Sequence, residues 1–88
     1  MIWTWDEDVV AFCLARCGDD GLRLSERNIA DRFKKTHAAI RMRQANYDFL
    51  DGKPGLSHPA KQSRDVHAKY RDSDCEQLRS LARGVLNG

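Results

Sequence analysis

The chain predicts an all-α fold: a small helix-turn-helix of three helices with one or two further helices at the C-terminal end. Three observations carry this. Thr4, Ser25 and Thr36 each stand just ahead of apolar residues at helical spacing, where an N-cap belongs. No stretch alternates apolar and polar residues as a half-buried strand does. Breaks at Gly18 to Gly21 and at Asp51-Gly52 separate the helical patterns. With 88 residues there is room for one small core. Residues 1–52 are assigned to the helix-turn-helix, and residues 53–88 to a helical extension packed on the same domain.

Thr4 with Glu7 forms a capping box, so the first helix starts near Trp5. Trp5, Val9, Phe12 and Cys13 make its apolar stripe, and Asp6, Glu7 and Asp8 suit the positive end of its dipole. Gly18 and Asp19-Asp20-Gly21 end it. Ser25 caps the second helix, whose buried residues are Ile29, Ala30 and Phe33, with Phe33 as the expected centre of the core. Lys34 and Lys35 close it. Thr36 caps a third helix that runs to about Leu50. This helix carries two opposed stripes, one of Ala38, Met42, Ala45 and Phe49, the other of Ile40, Gln44 and Tyr47. Either it is buried on both sides or one stripe meets a partner. Lys53-Pro54-Gly55 is a turn. Leu56-Ser57-His58-Pro59 opens a further helix with Pro59 in its first turn, and Val66 and Tyr70 form its apolar side. Ser73 with Glu76 makes a second capping box ahead of a final stripe of Leu78, Leu81, Ala82 and Val85.

Composition excludes several classes. No apolar run is long enough to span a membrane, and none forms a signal-peptide leader. The three cysteines, Cys13, Cys17 and Cys75, are odd in number and lack paired spacing. That argues against a disulfide framework and for a reducing compartment, the cytoplasm. Cys13 and Cys17 read as small buried thiols and not as metal ligands. His58, Asp65 and His67 lack the strands and the supporting ligand of a nuclease site, so neither catalysis nor a cofactor is expected. Asn46 reads as a buried amide bonded to a loop.

The net charge of +2 is small, but it is segregated. Residues 1–20 hold five acids against Arg16, whereas residues 27–43 hold six bases against Asp31. Such a split suits a polyanion. With double-stranded DNA as the partner, Lys34, Lys35 and His37 at the third helix's positive end would meet phosphates. Arg41 and Gln44, one turn on, would read bases, with Arg43 nearer the core side. Lys61 and Arg64 would add backbone contacts. The plainer alternative has Arg41 and Arg43 only solvating the helix or pairing with Asp48 and Asp51. Arg16, alone in the acidic stretch, is expected to matter little to DNA binding.

The residues Trp3-Thr4 with Asp6-Glu7-Asp8, then Ile29-Ala30-x-x-Phe33, then Thr36 and Ile40 resemble a Myb/SANT-type trihelical domain over about residues 3–50. In place of the second and third core tryptophans of Myb repeats stand Glu26 and Gln44. The string from Ala39 to Tyr47, with Leu50, Gly52 and Gly55-Leu56-Ser57, is similar to the helical segment preceding HNH nuclease domains in some bacterial restriction-type proteins. These resemblances imply a non-catalytic DNA-binding module, with any cutting left to a separate nuclease domain or subunit. SANT-like domains also imply an alternative, a protein-interaction module, for which an exposed stripe on the third helix would be the seam.

Overall fold

The computed structural model describes residues 2–55 and 57–87, which form five helices and no strand. α1 spans Trp5–Cys17, α2 Glu26–Arg32, α3 His37–Leu50, α4 Lys61–Tyr70 and α5 Cys75–Asn87. The fold is all-α, a three-helix core with two C-terminal helices. None of the five is long and apolar enough to cross a membrane.

The local starts follow from side-chain capping. Thr4 Oγ1 accepts from the Glu7 amide at 3.1 Å while Glu7 Oε1 accepts from the Thr4 amide at 3.0 Å, satisfying two donors that the helix leaves open. Ser25 and Thr36 accept from the amides of Asn28 and Ala39. Lys34, at φ 57°, takes the left-handed turn that reverses the chain between α2 and α3. Two starts differ from the sequence reading. α4 begins at Lys61, after Pro59, with Ala60 as an N-cap that has no side chain to offer. Leu56 lies outside the described residues. The capping box of α5 is Asp74 with Gln77, not Ser73 with Glu76: each accepts from the other's amide, at 2.8 and 2.9 Å.

The core is centred on Phe12 and Tyr47, both fully buried and stacked with ring centroids 4.9 Å apart. Val10, Ile29, Ile40, Val66 and Leu78 close around them. Phe33, the expected centre, is only partly buried at the edge, because it is the C-cap of the short α2 and not part of its inner face. Trp5 is 36% exposed, since it opens α1 beyond the end of the core. On α5 the inner face is Leu78, Ala82 and Leu86, which leaves Leu81 outside.

Cys17 and Cys75 form a disulfide with Cα atoms 5.7 Å apart, contrary to the expectation that the cysteines form no disulfide framework and that Cys17 is a small buried thiol. It joins the last residue of α1 to the first of α5, so α5 runs back along α1, against which it packs extensively. Nothing local in the sequence marks that pairing, because its partners are 58 residues apart. The ground for a reducing compartment falls with it. Cys13 remains a free, buried thiol whose burial pushes its pKa up to about 11.

Candidate nucleic-acid interface

Two carboxylates, Asp8 buried and Asp51 half-buried, organise the charges. Asp8, fully buried one turn before Phe12, accepts from Arg43 Nε and Nη2 at 2.9 and 2.7 Å, from the Tyr47 hydroxyl at 2.6 Å, from Gln62 Nε2 at 2.5 Å and from Ser63 at 3.2 Å. Burial alone would raise its pKa, but the donors from Arg43, Gln62 and Tyr47 outweigh that and hold the carboxyl below the usual range. The Tyr47 phenol moves the other way, raised by burial and by donating to Asp8. Asp51, just past α3, accepts from Arg16 at 2.6 and 3.2 Å and lies 2.8 Å from His67 Nε2. Burial again opposes ionisation, and Arg16 and His67 prevail, so its pKa is lowered.

Arg16 therefore has a structural role that the sequence did not reveal. It also donates to the carbonyls of Arg71 and Ser73 and lies 4.5 Å over the Phe12 ring. His67, considered above for a nuclease site, is held by Asp51 and packs 5.5 Å from Phe12. The two clusters tie α1, α3 and α4 together on either side of the Phe12–Tyr47 stack.

These clusters redistribute the predicted interface. Arg43 pairs with Asp8, and not with Asp48 or Asp51. The Lys35 side chain is only 5% exposed and donates to Glu7 at 3.0 Å. His37 lies 3.6 Å from Glu26, and Gln44 donates to the same carboxylate. Glu26 and Gln44 thus meet and fasten α2 to α3. Lys61 is exposed and pairs with Asp65 at 2.8 Å. Lys34, Arg41 and Arg64 are exposed and have no acidic partner among the described residues. The same holds for Arg27 and Arg32 on α2.

Of the two α3 stripes, Ile40 and Tyr47 face the core, while Met42 is 62% and Phe49 41% exposed. Gly55 crosses this outer side: a Cβ there would meet the Ala45 carbonyl oxygen at 2.4 Å, so only glycine lets the loop lie so close. Beside Met42 is a groove of about 230 Å³ lined by Trp3, Ala39, Met42, Arg43 and Asn46. Lys35 and Arg43 lie 4.8 and 5.1 Å from the centre of the Trp3 ring, and Gln62 donates to the Trp3 carbonyl. No protein-family model, curated protein or solved structure matches the chain.

Proposed function

We propose that this domain is a non-catalytic module that binds double-stranded DNA electrostatically, through the turn between α2 and α3. What supports the reading is the set of bases left after internal pairing: Arg27, Arg32, Lys34 and Arg41 are exposed on α2, the turn and the first turns of α3, against Asp31 alone. The resemblance to helical segments beside HNH nucleases agrees with it and assigns any cutting to another domain or subunit. Four neutralised phosphates give a log K against log salt slope of about −3.6. Titration of a labelled duplex at several salt concentrations tests this, in oxidised and reduced protein, so that the state of the Cys17–Cys75 bond is controlled. Lys34→Glu with Arg41→Glu should abolish binding and leave the melting temperature unchanged. Binding indifferent to salt or to that double variant refutes the proposal.

A second reading, docking of a protein on α3, is favoured by the exposure of Met42 and Phe49. Sedimentation of the chain over a concentration series tests its simplest form: self-association removed by Met42→Ser with Phe49→Ser.

A further inference from the structure

Two half-buried guanidinium groups meet over the loop between α1 and α2, and the fold supplies no anion for them. Arg79 and Arg83 stand one turn apart on the same face of α5. Both reach Gly21, which sits at φ 80°. A Cβ there would lie 3.3 Å from Arg79 Cδ, 3.7 Å from Arg79 Nε and 3.8 Å from Arg83 Nη1. Arg83 Nη1 donates to the Gly21 carbonyl at 3.0 Å. Arg79 Nε is enclosed and has no acceptor among the described residues. Neither guanidinium forms an ion pair there. Asp19, two residues before Gly21, accepts from the Glu26 amide instead, and Asp20 and Glu76 pair with neither. Burial raises the Cys13 thiol pKa, and both guanidinium groups act against it, which sets them beside the same stretch of α1.

We propose that Arg79 and Arg83 form a binding site for a phosphomonoester dianion. Like charges held this close repel, and a guanidinium with an enclosed, unpartnered Nε has given up hydration without a replacement. An anion between the two removes both costs. Two fixed cations with no acid beside them match the charge of a dianion. Each arginine also presents a planar fork of donors that meets phosphate oxygens in pairs. Packing of Arg79 Cδ against Gly21, and the bond from Arg83 to the Gly21 carbonyl, already hold the two side chains, so little rotamer freedom is lost on binding. A phosphodiester carries a single charge and fits less well. The site uses none of the bases assigned to DNA, and it goes beyond that reading without resting on it.

Inorganic phosphate, methyl phosphate and dimethyl phosphate are the probes. Each is titrated into the full chain at constant ionic strength and about pH 8, where a monoester is dianionic. Heteronuclear NMR follows the Gly21 amide and the arginine Nε–H signals. Phosphate and methyl phosphate should shift Gly21, Arg79 and Arg83 with saturation in the low millimolar range, and dimethyl phosphate should bind about tenfold more weakly or less. Arg79→Gln and Arg83→Gln should each weaken phosphate binding about tenfold, the loss of one charged hydrogen bond. Arg83→Gln serves alone if Arg79→Gln does not fold. Lys34→Glu with Arg41→Glu should leave phosphate binding unchanged, so this site and the DNA reading fail separately. Shifts that are absent, or confined to the turn between α2 and α3, overturn the site. So does phosphate binding undiminished in the arginine variants. Equal binding of dimethyl phosphate overturns the monoester and makes the site a diester contact. Binding of inorganic phosphate without methyl phosphate overturns it too and leaves only the free ion.

Discussion

Replacing Asp8 with alanine should come close to unfolding the domain. The carboxylate is fully buried and receives Arg43 through two bonds, together with Tyr47, Gln62 and Ser63. Its loss leaves a mostly buried guanidinium without a counter-charge, which costs about 3–5 kcal/mol. The buried Tyr47 hydroxyl loses its acceptor too, which adds about 1–3 kcal/mol. A domain of this length has roughly 4–13 kcal/mol in all. The melting temperature should therefore fall by at least about 15 °C, followed by circular dichroism. A double-mutant cycle separates the pair from its surroundings. Asp8→Ala and Arg43→Ala together should destabilise less than the sum of the singles, by about 2 kcal/mol or more. Additive effects, or an Asp8→Ala protein melting within a few degrees of the parent, would refute the hub.

Reducing the Cys17–Cys75 bond, which closes a span of 58 residues, should lower stability by about 4 kcal/mol in denaturant titrations with and without dithiothreitol. Gly55→Ala should destabilise by about 1–3 kcal/mol, because its Cβ falls 2.4 Å from the Ala45 carbonyl oxygen, with the urea midpoint as the readout. Stability should form a plateau in pH. The lowered pKa values of Asp8 and Asp51 contribute above the unfolded carboxyl value of about 4, and that contribution is lost as pH falls through the folded values. The raised values of Cys13 and Tyr47 contribute fully below about pH 9, a contribution lost as pH climbs beyond it. Urea midpoints across the range check both limbs, and Tyr47→Phe should flatten part of the alkaline one.

What was legible in the sequence is local. Thr4, Ser25 and Thr36 fix helix starts because a cap bonds to an amide a few residues on, and the three helices they open are found where expected. The ends of the C-terminal pair were harder, since Asp74 and Ser73 are equally good caps by type and only the backbone decides between them. The ion clusters join residues 35 or more positions apart for most of their bonds, and no pattern along the chain records such meetings. One signal was available. Asp8 stands at i, i+4 from Phe12, on the face that was assigned to the core, whereas Asp6 and Glu7 do not share it. An acid on an apolar face needs donors, and Arg43 and Tyr47, also at i, i+4, are a pair able to supply them.

Charge counted along a chain differs from charge presented by a surface. Residues 27–43 carry six bases, but Lys35 and Arg43 are committed to Glu7 and Asp8, leaving four outside. The distinction is measurable, because six phosphate contacts give a salt slope of about −5.4 and four about −3.6. The steeper slope would require either contacts from Lys61 and Arg64 as well, or Arg43 leaving Asp8 in the complex, which would expose a buried carboxylate and loosen the Phe12–Tyr47 centre it supports. The shallower one keeps the hub closed. It also keeps the groove in shape: through Asp8, Arg43 and Gln62 are fixed, and through them the ring and carbonyl of Trp3. A single acid in the first turn of α1 thus both withholds Arg43 from solvent and fixes one wall of the groove.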